Sequence, residues 1–172
     1  EKYLPGKMEK CKKQHDAVMN SPLLEEAETV ILASLWESWE IEFIESTVQF
    51  LKSKGIKQVA IVGRKDQSIN GIKFNAKFAY RKTAHRLRTP VGKPARKINK
   101  KITQLKSDFL FIDLLDNFCD ESGCQRVTDQ GYLIIYDKTH LSPRGAKMIG
   151  LLATDSEWMK VLMQKNLEVQ IN

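Results

Sequence analysis

The sequence lacks any long hydrophobic run, which excludes a membrane-spanning helix. Its uninterrupted apolar stretches, such as Val30–Ala33, have at most five residues, whereas a helix that crosses a bilayer needs about 20 apolar residues in succession. The first residues, Glu1 to Gly6, have no apolar segment of the signal-peptide kind and do not begin with methionine. We therefore expect a mature domain, or a piece cut from a longer protein.

Residues that ligate metals are also scarce. The chain has three cysteines and three histidines, and the histidines His15, His85 and His140 lie far apart in the sequence. Neither zinc-finger spacing nor the aromatic pattern of an RNA-recognition domain is present. We expect no metal ion, no cofactor and no nucleic-acid partner, and we interpret His15 and His85 as surface residues.

Two of the cysteines, Cys119 and Cys124, enclose four residues that include Gly123. Such a gap can close as a tight disulfide-bridged loop in an oxidising compartment. Cys11 is then left over, and an odd cysteine in an exported protein indicates a partner outside this sequence. The cysteines therefore predict a disulfide and export.

The composition is that of one ordinary globular domain, with 42% hydrophobic and 28% charged residues in 172. The net charge is +7, and the stretch from Arg81 to Lys101 contains no acidic residue. This basic stretch is either a solvated loop and helix face or a surface that binds anions. Arg86 and Arg88 are the anion-binding candidates.

Strands and helices are predicted to alternate along the chain. Residues 29–36 and 58–62 are β-branched apolar runs typical of buried strands, and 109–113 is a third run of this kind. Helical spacing of apolar residues separates them, from Ile41 to Leu51 and from Ile98 to Leu105. The alternation predicts a three-layer α/β/α sandwich with a parallel sheet.

The last part of the chain is predicted to hold a hairpin and capped helices. Residues 126–128 and 132–136 flank a turn that contains Gly131. Ser142 is positioned to cap the next helix, with Pro143 at its first position. Thr154–Glu157 is the pattern of a capping box for a final helix.

The side chains that could take part in catalysis lie just before Ser142 in the sequence. Asp137 precedes His140 by three residues, so a turning loop brings the carboxylate against the imidazole. The carboxylate would fix the ring tautomer and stabilise the imidazolium that forms when His140 takes a proton. We predict that Asp137 and His140 are catalytic residues.

The stretch from Asp137 to Ala146, Asp-x-x-His-Leu-Ser-x-x-Gly-Ala, resembles the last block of the SGNH (GDSL-like) hydrolase superfamily. It is most similar to the SGNH domains fused behind the membrane-embedded acyltransferase type 3 family. The run Leu32–Trp36, the strand at 109–113 and the close cysteine pair are similar to that group as well.

The resemblance implies a serine esterase or O-acyltransferase, with His140 as general base and Asp137 as its orienting acid. The fused proteins acylate, typically acetylate, cell-surface glycans such as lipopolysaccharide O-antigen. The acyl donor then comes through a membrane acyltransferase domain. The expected location is the periplasm, as the soluble domain of an inner-membrane protein.

The sequence departs from the family at the nucleophile. No Gly-Asp-Ser occurs in it, so we expect the nucleophilic serine and about two strands to lie upstream of Glu1. Residues 1–28 would be a polar remnant of that half, and 29–172 the C-terminal part of the domain. Ser34 and Trp36 stand where an oxyanion pattern is expected, and either could donate there.

Two consequences of the missing block are expected. The chain alone would be inactive, and the open edge of its sheet would pair with another copy. The alternative function is a non-catalytic domain that binds glycans or anions on a decayed hydrolase scaffold, through the basic stretch.

Overall fold

A computed structural model describes residues 5–66, 73–74, 77 and 86–168. The predicted surface residue His85 lies outside the described residues, as do the first two basic residues of the basic stretch. The helices are α1 Pro5–Met19, α2 Pro22–Glu25, α3 Ile44–Ser53, α4 Lys93–Ile102, α5 Pro143–Thr154 and α6 Glu157–Glu168. The strands are β1 Thr29–Ala33, β2 Gln58–Val62, β3 Arg88–Thr89, β4 Leu110–Ile112, β5 Cys119–Asp120 and β6 Gly123–Gln125. Short 3-10 helices span Ile41–Phe43 and Leu114–Asn117.

The main sheet is parallel and has the order β1-β2-β4. Thr29 lies opposite Gln58 in the first pairing, and Ala60 lies opposite Leu110 in the second. The parallel sheet and its flanking helices confirm the predicted α/β class. All three strands therefore end at the same edge, where ligands of open parallel sheets bind.

Helices cover β2 from both sides because successive side chains of a strand point to opposite faces. Val59 and Ile61 pack with residues of α3 and α4, whereas Ala60 packs with Leu162 of α6. These three residues of β2 are almost completely buried. The layers are thus helix, sheet and helix, as the alternation of strands and helices predicts.

The prediction for β1 was partly wrong. The strand ends at Ala33 rather than at residue 36, and Ile31 is 54% exposed although burial on both faces was expected. Val30 and Leu32 point to the covered face and pack against its core. The β-branched composition predicted the strand correctly, but burial depends on α6, which packs on Ala60 and Ile112 of the neighbouring strands.

A second, antiparallel sheet has the order β3-β6-β5. Cys119 and Cys124 lie directly opposite each other in it and form a disulfide, which confirms the predicted pairing. Cys124 is fully buried in a second core, together with Ile134 and Ile149. This core supports the segment that precedes α5.

Of two smaller predictions on the C-terminal part, one was wrong. The expected small hairpin is present, with an antiparallel bridge between Val127 and Leu133 and hydrogen bonds from the Thr128 amide to the Tyr132 carbonyl at 2.8 Å and from the Ile134 amide to the Arg126 carbonyl at 2.9 Å. The final helix is capped by Ser156, whose Oγ accepts from the Met159 amide, whereas Thr154 is still part of α5. Ser156, which directly precedes the helix, therefore caps it in place of Thr154.

The described helices include none that is both long and apolar enough to cross a bilayer. Helix α1 carries exposed charged side chains along most of its length, and its Cys11 is an exposed free thiol.

Candidate functional site

The segment from Ile135 to Leu141 forms a closed loop ahead of α5. Ile135 and Leu141 are paired as an antiparallel bridge, and the Tyr136 amide donates to the His140 carbonyl at 3.1 Å. The Ser142 amide donates to the Ile134 carbonyl at 2.8 Å, which ties the end of the loop to the second core. The loop therefore presents Asp137 and His140 on a fixed backbone.

Asp137 and His140 are in direct contact, as their spacing predicts. Asp137 Oδ2 lies 2.6 Å from His140 Nδ1, and Asp137 Oδ1 accepts from the amides of His140 and Thr139, each at 2.7 Å. The Asp137 side chain is 24% exposed and that of His140 is 70% exposed. The pair thus joins a half-buried carboxylate to an imidazole that solvent reaches.

The electrostatics of the pair keep the carboxylate ionised. Burial alone raises the pKa of Asp137, but the hydrogen bonds from the His140 and Thr139 amides and from the His140 ring outweigh it and hold the pKa well below its usual range. An ionised carboxylate only accepts hydrogen bonds, so His140 Nδ1 carries the proton in this contact. Nε2 is then the basic nitrogen of the ring, as a general base requires.

Helix α5 begins immediately after the loop and holds it in place. Ser142 caps the helix as predicted, because its Oγ accepts from the Gly145 amide at 2.9 Å. The same hydroxyl donates to the Leu133 carbonyl. A Cβ atom on Gly145 would meet Ile134 backbone carbon atoms at 2.7 Å, so only glycine allows this close approach.

His140 lines a cleft of about 330 Å³ at the carboxyl edge of the parallel sheet. Ser34 lies in its wall, on the segment that follows β1. The structure therefore brings one oxyanion candidate, Ser34, to the same cleft as His140. The cleft is lined by Ala33, Ser34, Leu35, Val62, Gly63, Arg64, Lys65, Thr139 and His140.

The other oxyanion candidate, Trp36, is placed differently. Its indole N–H donates to the Val62 carbonyl at 2.8 Å, and its ring packs against the main core. The hydrogen bond occupies the donor that an oxyanion would need. Trp36 instead joins the segment after β1 to the end of β2.

Arg64 makes a second connection between these two segments. Its side chain is only 8% exposed, and its Nη1 donates to the Trp36 carbonyl at 2.8 Å and contacts a Glu37 oxygen at 3.3 Å. Its Nε donates to Asp66 Oδ1 at 2.6 Å. Arg64 therefore keeps the wall that carries Ser34 in a fixed position.

Asn99 of α4 holds Arg64 from the other side. Its Oδ1 accepts from the Arg64 amide at 2.8 Å, and its Nδ2 donates to the Arg64 carbonyl and to Asp113 Oδ2, each at 3.0 Å. Burial raises the pKa of the Asp113 carboxyl, and the hydrogen bonds from the Leu115 amide and Asn99 oppose this only in part. Hydrogen bonds among Arg64, Asn99 and Asp113 thus hold the ends of β2 and β4 together.

The anion-binding candidates lie away from this cleft lining. Arg86 is exposed, and Arg88 Nε lies 3.7 Å from Asp120 Oδ2. The lysines and arginines of α4 occupy its exposed face. Within the described residues, no three histidine, cysteine or acidic side chains are grouped as a metal site would require.

Sequence reasoning did not identify Arg64, Lys65 or Thr139 as cleft residues. A signal existed for the first two, because Gly63 and Arg64 directly follow a buried strand, and sites of parallel sheets gather where strands end. Thr139 lies between the two predicted catalytic residues, and its amide contact to Asp137 follows from the turn.

Comparison with known proteins agrees with this geometry. The family model of the SGNH domain fused to AT3 domains matches residues 2–153, so the chain belongs to that family. Among curated proteins none matches the sequence significantly.

One solved structure with a similar fold is the periplasmic domain of a Salmonella ser. Paratyphi A lipopolysaccharide acetyltransferase. The TM-score is 0.58 at 15% sequence identity, and the match covers 74% of this chain and 56% of that one. The chain thus spans little more than half the length of that domain, and at this identity the likeness concerns the fold.

Proposed function

We propose that the chain supplies the general base His140 and its orienting acid Asp137 to an SGNH-type serine O-acyltransferase or esterase. The observation that carries the proposal is the 2.6 Å contact between Asp137 Oδ2 and His140 Nδ1, made beside a cleft at the carboxyl edge of a parallel sheet. The substrate class we propose is a cell-surface glycan such as lipopolysaccharide O-antigen. Membership of the acyltransferase-fused family supports this choice, as does the name of the structural neighbour.

The proposed reaction uses a serine that the family's Gly-Asp-Ser block would supply and that this chain does not contain. The serine hydroxyl gives its proton to His140 Nε2 as its oxygen attacks the acyl carbonyl, and the departing group of the donor takes that proton. In the second half, a sugar hydroxyl or water gives its proton to Nε2 and attacks the acyl-serine. The serine oxygen leaves and recovers the proton, so the enzyme is regenerated.

We further propose that the domain works in the periplasm and takes its acyl group through a membrane acyltransferase domain. The Cys119–Cys124 disulfide supports an oxidising compartment, and the family description supports the fusion. The roles of Ser34 as an oxyanion residue and of Arg86 and Arg88 in anion binding stay predictions.

Labelling with a fluorophosphonate probe, followed by peptide mapping, tests this function. The probe is applied to the 172-residue chain and to a longer protein that joins it to a Gly-Asp-Ser segment. We expect label on that serine in the longer protein only, reduced at least about a hundredfold by His140→Ala. His15→Ala is the matched control, since His15 is exposed on α1 and should leave labelling unchanged.

Two other outcomes contradict the proposal. Label on a serine within the chain, with Ser34 in the cleft wall as the first position to check, would mean that the nucleophile is present here. Absence of label in both proteins would favour the non-catalytic domain that binds glycans or anions.

A further inference from the structure

Tyr136 is an exposed aromatic residue in contact with the proposed general base. Its ring centroid lies 6.0 Å from that of His140, with 29° between the two planes, and the residue is 43% exposed. The hydrogen bond from the Tyr136 amide to the His140 carbonyl closes the loop at this pair. The backbone pairing within the loop therefore places the two rings next to each other.

His140 lies between two different surfaces. Among the described residues, those that line the cleft include His140 and Thr139 but not Tyr136. The cleft lies where the strands end, which is where an acyl group and its oxyanion donors belong. The Tyr136 ring lies outside this lining, is exposed to solvent and is next to the His140 ring.

The chemistry of a sugar ring matches this exposed aromatic ring. A pyranose presents faces of C–H groups that stack on an aromatic ring, and its hydroxyls point outward from its rim. A sugar stacked on the exposed part of the Tyr136 ring would lie beside the imidazole, with its hydroxyls at the rim that faces its surroundings. Water has no such face and gains nothing from the ring.

We propose that Tyr136 is the acceptor-binding residue, which stacks against a pyranose ring and brings one of its hydroxyls to His140 Nε2. The inference rests on the proposed function and names the acceptor class at that site. In the transfer step the sugar O–H gives its proton to Nε2, a new bond forms between the sugar oxygen and the acyl carbon, and the serine C–O bond breaks. The proton then passes to the serine oxygen.

Tyr132 provides a matched control on the same segment. It is 42% exposed, close to the value for Tyr136, but the Arg144 guanidinium covers its ring at 3.6 Å from the centroid. A general loss of exposed aromatic surface would affect both positions alike. The two positions differ because the Tyr136 ring lies beside His140, whereas the Tyr132 ring is covered by Arg144.

The experiment is an NMR titration of the full chain with the methyl glycosides of glucose, galactose and mannose. The readouts are the ring signals of Tyr136 and His140 and the dissociation constant obtained from their shifts. We expect at least one glycoside to move both signals, and Tyr136→Leu to weaken its binding about fivefold to tenfold. Tyr136→Phe keeps the ring face and should bind within about twofold of the native chain, as should Tyr132→Leu.

The inference is overturned if no glycoside produces a saturable shift, or if Tyr136→Leu binds as the native chain does. Two-dimensional spectra of each variant establish that it is folded. The titration detects sugar binding to the chain without any acyl transfer, so this test is independent of the labelling test, which detects acylation of a serine. Binding that depends on Tyr136, with labelling that does not depend on His140, would leave Tyr136 as a sugar-binding residue but contradict the proposed function, and with it the transfer step through His140.

Discussion

At the scale of single residues, Asp137 contacts the proposed base through both of its carboxylate oxygens. It accepts hydrogen bonds from two amides and from the His140 ring, and these lower its pKa despite the cost of burial. Its contribution to folding is therefore fully present above the pKa of the unfolded chain, about 3.9. That contribution is lost as the pH falls through the lower pKa of the folded state.

We therefore expect Asp137→Asn to lower the free energy of unfolding by about 1–2 kcal/mol at pH 7, because charged acceptors make the stronger hydrogen bonds. The difference from the native chain should shrink as the pH falls below about 4. Urea titrations across that pH range measure it. Glu121→Gln makes the same chemical change on an exposed carboxylate and should be neutral; an equal loss there would contradict this account.

At the scale of elements, the position of α5 determines where the loop with His140 lies. The helix approaches the backbone at Ile134 through Gly145, and Ser142 joins its first turn to the Leu133 carbonyl. Gly150 is in the same helix, but a Cβ atom there would meet nothing within 4 Å. Two glycines of one helix thus have opposite surroundings.

Gly145→Ala should destabilise the protein by about 1–3 kcal/mol, since the new methyl group overlaps backbone atoms that cannot move aside. Gly150→Ala should instead stabilise it by about 0.5–1 kcal/mol, because alanine favours the helix. Thermal unfolding of both variants measures the contrast. If both stabilise the protein, the close contact between α5 and Ile134 is not as described.

At the scale of the whole molecule, the parallel sheet has an open side. Of the strands described, β1 and β4 each pair only with β2, and residues of β1 help to line an apolar groove of about 500 Å³ together with Val18 and Leu24. An exposed strand edge is a template for another strand. Residues of α1 and α2 border this edge but do not add a strand to it.

Sedimentation velocity should show concentration-dependent self-association of the isolated chain. Ile31→Lys should reduce it, because a charge on an edge strand opposes pairing. Leu151→Lys is the control, since Leu151 is similarly exposed on α5. A monomer at every concentration would contradict edge pairing and indicate that the segment before β1 protects it.

The features that the sequence predicts correctly are those that depend on short segments of the chain. The strand at 58–62 is correct because both its faces are covered, and the contact between Asp137 and His140 follows from three-residue spacing in one loop. The wall opposite His140 is not predictable in this way. Arg64 and Asn99 meet through packing of α4 on the sheet, and no local pattern encodes that contact.

The order of folding follows from the two parallel pairings. Thr29 meets Gln58, and Ala60 meets Leu110, so each pairing closes a long segment of chain and is slow compared with local contacts. The pairing of β5 with β6 closes only a short turn and can form early. Ser34 and Arg64 take their places in the cleft wall only after the first pairing has formed. A partly folded chain can therefore hold the β5–β6 pairing and its disulfide and still lack the wall of the cleft that faces His140.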